Sequence, residues 1–169
     1  MTKSTARQTA NLLGALSLTL AERLRDAVVE ATGFGGEAAA ALVTIDAEPD
    51  NSVGFVADVV GLTHSGTVRL IDKLESESLV ERKPGTDART AALRVTARGK
   101  RRVRAILNAR ELALEDALGE LSPSQISSLS SLLRPLLRSE ARRPIDEHII
   151  CRLCDTSVCY PAGCPLQNL

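Results

Sequence analysis

All four cysteines of this chain, Cys151, Cys154, Cys159 and Cys164, fall within its last nineteen residues in the pattern C-x2-C-x4-C-x4-C. Thiolates are soft ligands, and loops this short bring the chain back near its starting point, so four sulfurs can wrap one tetrahedral ion. Zn(II), one per chain, is the expected occupant. A [4Fe-4S] cluster takes the same four ligands and is the alternative. A thiol redox switch and a pair of disulfides are the remaining uses of such a set. Disulfides need an oxidising compartment, whereas Met1 to Gln8 is polar and no signal-peptide apolar run follows it, which points to a cytoplasmic protein.

Composition narrows the class. The chain has 169 residues, 44% of them apolar, enough for one domain with a core and a small appendage. No run of about eighteen apolar residues is present, so no membrane-spanning helix is expected. The net charge of zero is unevenly distributed. Residues 1–62 carry four basic and eight acidic side chains, residues 63–110 twelve and five, and residues 111–169 five and eight. A basic centre of +7 between acidic flanks suggests an anionic polymer meeting one surface of the molecule. A solvated helix face is the plainer reading of the same charges. Enzyme readings find little support: His64 and His148 are far apart in sequence, and no glycine-rich phosphate loop appears.

Periodicity supplies the elements that must position these groups. Leu12, Leu16, Leu20, Leu24 and Val28 predict a long first helix, ended by Gly33, Gly35 and Gly36. A second helix is expected from Glu37 to Ala47. A third, through Val53, Val56 and Val59, is capped by Asn51 or Ser52 and closed by Gly61, although its β-branched content also suits a strand. Thr63 or His64 can cap a fourth, with Val68, Leu70, Ile71 and Leu74 facing inward. After Leu79 the period becomes alternating, and a hairpin is expected with its turn at Pro84 to Asp87. Thr96 can cap a second long helix to Leu118. Ser122 with Pro123 opens the last one, which Pro135 should kink or interrupt. Glu140 to Pro144 reads as a polar linker.

Helix, turn, helix and basic hairpin is the order of a winged helix-turn-helix, in which one helix enters a major groove and the hairpin reaches a neighbouring minor groove. The stretch Leu62, Ser65, Gly66, Thr67, Arg69 and Leu74, then Leu79 to Arg82, Asp87 to Arg89, and Leu93 to Lys100 (LRVTARGK) resembles the MarR family of bacterial transcription regulators over about residues 5–138. Two positions depart from that family's pattern. Ser78 replaces a common glycine at the corner before the hairpin, which asks for a residue that tolerates positive φ. Ala88 and Thr90 leave Arg89 as the lone basic residue at the wing tip.

The expected fold is therefore mainly α (α+β), with N-terminal dimerisation helices over 1–48, the winged helix-turn-helix over 49–97, C-terminal dimerisation helices over 98–140 and a cysteine-rich tail over 145–169. The resemblance implies a homodimer that binds double-stranded DNA at a palindromic operator as a repressor; a small-molecule effector is left open. Leu12, Leu16, Leu20, Leu129, Leu132, Leu133, Leu136 and Leu137 agree independently, because they offer more apolar surface than one small wing can cover. Expected DNA contacts are Ser65, Gly66, Thr67, Arg69 and Lys73 on the helix, with Arg82, Lys83, Arg89 and Arg94 on the wing. Asp87 reads as a brace for Arg89. His64 is a helix-start imidazole or a further contact. Lys100, Arg101, Arg102 and Arg104 are either phosphate contacts or a solvated face. A basic hairpin that binds an acidic protein partner is the non-DNA alternative.

The tail also matches the zinc-knuckle spacing C-x2-C-x4-H-x4-C with Cys159 in place of histidine, and Cys164-Pro165 resembles the Cys-Pro that closes a ferredoxin motif. The positions that let knuckles stack on bases are mostly missing, so the tail reads as structural or sensory. His148 is a substitute ligand or, with four cysteines present, a bystander, and the second reading is preferred.

Overall fold

The computed structural model describes residues 3–84 and 91–167. Its elements, in order, are α1 (Lys3–Thr32), α2 (Gly36–Ala47), α3 (Val53–Val60), α4 (His64–Ser76), β1 (Val80–Pro84), β2 (Ala91–Val95), α5 (Ala97–Leu118), α6 (Pro123–Glu140), α7 (Asp146–Cys151) and α8 (Thr156–Cys159). The segment open to either helix or strand is helical. Ser52, not Asn51, caps it by accepting from the Phe55 N–H, and Gly61 at φ 73° closes it in the left-handed region. Thr63, not His64, caps α4 through the Gly66 N–H. Ser122 and Gln125 form a reciprocal capping box ahead of Pro123. Helix α6 continues past Pro135 to Glu140. Both α7 and α8 are additions to what periodicity predicts, since helices this short are stable only against neighbours.

Helix α2 is the centre of the molecule, with Ala39 through Ile45 all buried. It packs against α1, α3, α5 and β2, so the expected boundary near residue 48 does not divide two packing units. Val56, Ile71, Leu74, Leu79, Leu93 and Ile106 complete the core around it. Strands β1 and β2 pair antiparallel from Val80 opposite Val95 to Pro84 opposite Ala91. The other edge of β2 is also engaged: the Asp50 N–H donates to the Leu93 carbonyl and the Leu93 N–H to the Asn51 carbonyl, at 3.0 and 3.1 Å. No single described helix is long and apolar enough to cross a membrane.

Three elements meet at one joint. At the C-terminus of α4, Ser78 stands at φ 59°, the Leu79 N–H donates to the Leu74 carbonyl and the Ser78 N–H to the Glu75 carbonyl. That pair of bonds closes a Schellman turn with serine where glycine is usual, and it turns the chain from helix into wing. The Thr96 N–H then donates to the Leu79 carbonyl at 3.0 Å, and the Thr96 hydroxyl donates to the Ser78 carbonyl at 2.7 Å while capping α5 through the Gly99 N–H. Gly99 lies so close that a Cβ there would stand 2.0 Å from the Leu79 carbonyl oxygen. Since that atom is backbone held by Thr96, it cannot move aside cheaply. Gly99→Ala is expected to destabilise the fold by at least about 2 kcal/mol, read as a lowered midpoint in urea unfolding.

Candidate nucleic-acid interface and cysteine cluster

Helix α4 has two faces set by its 3.6-residue period. Thr67, Ile71 and Leu74 are fully buried, whereas Ser65, Arg69 and Lys73, spaced four apart, are all exposed along the opposite stripe. Thr67 was among the expected contacts, and the structure removes it: its side chain is inaccessible and its hydroxyl donates to the Thr63 carbonyl at 3.1 Å. The phase shared with Ile71 and Leu74 is the signal that would have placed it inward. Gly66 is half-buried at the capped first turn, where an added Cβ would stand 3.1 Å from the Thr63 hydroxyl oxygen. His64 is exposed at the helix start, beside Ser65. Among the described residues neither Arg69 nor Lys73 has an ion-pair partner, so both cations face outward.

Two of the wing arginines, Arg82 and Arg94, are engaged within the chain. Arg82 reaches back from β1 to two carboxylates of α4, Asp72 at 2.7 Å and Glu75, so its guanidinium is a clamp between wing and helix rather than an outward contact. Arg94 forms a fork on Asp50, with bonds of 2.6 and 2.5 Å that tie β2 to the turn before α3 and hold the Asp50 carboxyl below its ordinary range. Lys83 is exposed and lies 3.2 Å from Glu81. Arg89 and Asp87 lie outside the described residues. In the basic row of α5, Arg102 turns inward: it donates to the Thr32 carbonyl at the end of α1 and lies 5.2 Å above the Phe34 ring. Lys100, Arg101 and Arg104 are exposed.

The four cysteines are free thiols held in one region. Cys151 ends α7, the Cys154 N–H donates to the Cys151 carbonyl at 2.7 Å, and α8 ends at Cys159. A hydrogen bond between the two sulfurs pulls the Cys154 thiol below its ordinary range, helped by the charges of Arg110 and Arg152, and pushes Cys151 far up. Arg110 Nη2 stands 3.9 Å from Cys154 Sγ. Cys159 is raised by burial and by Cys154 and Cys164. Cys159 and Cys164 both line a groove of about 270 Å³ against Leu129, Leu133 and Leu137 of α6. Among the described residues, no three His, Cys, Asp or Glu donors stand in metal-binding geometry. His148 is turned to α2 and α3, edge-on to Phe55 at 5.0 Å and 3.8 Å from Glu48.

Asp146 is a structural residue that sequence reading passed over. The supposed linker before the tail is ordered on its carboxylate, which accepts from the Arg142 and Arg143 N–H groups at 2.9 Å each and from the Arg143 side chain at 2.9 and 2.6 Å. The Arg143 fork, with the backbone donors behind it, lowers the Asp146 pKa to about 2. A carboxyl depressed on folding stabilises the ordered turn above its unfolded pKa, near 4, and that support is lost as pH falls through about 2. Amide exchange at residues 142–146 is therefore expected to stay slow down to about pH 4 and to accelerate below it; Asp146→Asn should show the faster exchange already at neutral pH.

At the level of sequence alone, no protein-family model and no curated protein matches this chain. Solved structures do. A MarR family protein from Bacillus stearothermophilus superimposes with a TM-score of 0.71 at 24% identity, over 82% of this chain and 97% of that one. A MarR family transcriptional regulator from Rhodococcus sp. RHA1 gives 0.61 at 20% identity over 80% and 97%, and wild-type MarR from E. coli gives 0.62 at 18% over 74% and 96%. The described helices and two-stranded wing of this chain therefore have the MarR-type winged-helix fold.

Proposed function

We propose that the protein is a DNA-binding transcription regulator of MarR type that acts as a homodimer on a palindromic operator, repressing by occupying it. One observation carries the reading: an exposed stripe of Ser65, Arg69 and Lys73 on a helix whose opposite face is locked into the core, with the two-stranded wing beside it. Such a helix presents hydrogen-bonding and cationic groups to base edges and phosphates from a rigid mount. Arg69→Ala or Lys73→Ala should weaken operator binding by about 1–3 kcal/mol where the side chain reads a base, and Lys73→Ala should lower the salt slope by about one where it meets a phosphate. Affinity that ignores salt would instead favour a protein-binding hairpin.

Dimerisation is assigned to α1, α5 and α6. Leu12 and Leu132 are each 65% exposed and Leu112 66%, with Leu16, Leu133, Leu136 and Leu137 also open, an apolar surface that the chain by itself leaves in water. A two-fold partner would cover it and set two recognition helices about one DNA turn apart. Deleting residues 1–20 should give a monomer in sedimentation and lower operator affinity sharply. A truncated dimer would move the interface elsewhere. The cysteine set is read as a ligand set for one metal centre, Zn(II) or [4Fe-4S], supported by the C-x2-C-x4-C-x4-C spacing of four free thiols.

A further inference from the structure

The tail stands on two footings that belong to different parts of the fold. On one side, Arg134 of α6 donates to the Gly163 and Ala162 carbonyls and Arg138 donates to the Pro165 carbonyl at 3.3 Å, so the loop around Cys164 is gripped by the helix assigned to dimerisation. Leu166, 1% exposed, anchors the end of that loop. On the other side, His148 lies edge-on to Phe55 of α3, and Leu153 packs on the main core, so the segment carrying Cys151 and Cys154 rests on the helix-turn-helix. Between α2 and this segment is a void of about 20 Å³, lined by Thr44, Cys151 and Tyr160. Thr44 is buried there, and its hydroxyl has no hydrogen-bond partner among the described residues.

Among the described residues no three of these sulfurs stand together as metal donors. Cys151 and Cys154 are joined by their turn on the helix-turn-helix side, while Cys159 and Cys164 face the groove on α6. One tetrahedral ion cannot take ligands from both pairs without drawing them together. Arg110 of α5, 3.9 Å from Cys154 Sγ, supplies a positive charge against the anionic ligand set. We propose that a thiophilic metal centre held by Cys151, Cys154, Cys159 and Cys164 fastens the helix-turn-helix to α6 through this tail, so that its occupancy sets DNA affinity. The regulatory half of this inference rests on the DNA-binding reading above; the metal half does not.

The full chain, purified anaerobically, is the material for the test. Elemental analysis should give about one zinc per chain in colourless protein, or brown protein with broad visible absorption that bleaches in air; either result supports the four-thiolate site and tells its two occupants apart. Co(II) added to the stripped protein should bind once per chain with sulfur-to-cobalt charge-transfer bands, and Cys154→Ser should abolish them. Metal-free protein with four freely titrating thiols and no Co(II) uptake overturns the site. For the coupling, the loaded protein and Cys154→Ser should differ in operator affinity by about 5- to 150-fold. The loaded form should also show slower amide exchange in residues 146–167 and in α6. Arg134→Gln should retain the metal yet lose most of the affinity difference, because only the grip on α6 is removed. Equal affinity together with equal exchange in the loaded and Cys154→Ser proteins overturns the coupling. Intact metal uptake and protection with no DNA binding by either form would leave the metal site and its fastening role standing and defeat the DNA reading.

Discussion

The directions of α4, the wing and α5 are set by the backbone junction at Leu79. Its carbonyl accepts from Thr96, its N–H closes the turn that ends α4, and Gly99 leaves room for α5 to start against it. Helix α4, the wing and α5 are thus referenced to one peptide group, so none can tilt without breaking a buried hydrogen bond. Ser78 is part of the same constraint. A left-handed residue with a side chain is held there by two C-terminal bonds, which is why serine can replace glycine at this corner.

A second constraint is the sharing of charge between elements. Among described basic residues near the wing, Arg82, Arg94 and Arg102 are each engaged within the chain, whereas Arg69 and Lys73 are not. A basic region counted from sequence therefore overstates how much positive charge is available to an anionic partner. Part of it is internal bracing, with exposed pairs contributing orientation more than stability.

The order of elements was legible because caps and periodicity are local. Ser52, Thr63, Thr96 and Ser122 each accept from a backbone N–H three residues on, a distance any reading of the chain can see. What stayed illegible is contact between elements. That Arg82 would find Asp72 and Glu75, and Arg94 would find Asp50, 44 positions away, follows only once the joint and the sheet register exist. Thr67 is a different kind of miss. Its inward phase was present in the spacing to Ile71 and Leu74, and its hydroxyl chemistry drew attention away from it. In the tail the cysteines were plain from spacing, but the ordered turn on Asp146 and the grip of Arg134 depend on neighbours that short helices do not announce.

The clamp from Arg82 to α4 also limits how freely this module can be re-engineered. Asp72 and Glu75 point from α4 toward the wing, and their charge is met by a residue outside that helix. Replacing α4 here with a helix that lacks carboxylates at these two positions would strand Arg82. The inheritable unit of sequence reading is accordingly the helix together with the first wing strand, residues 64–84, and exchanges drawn at the helix ends cut through it.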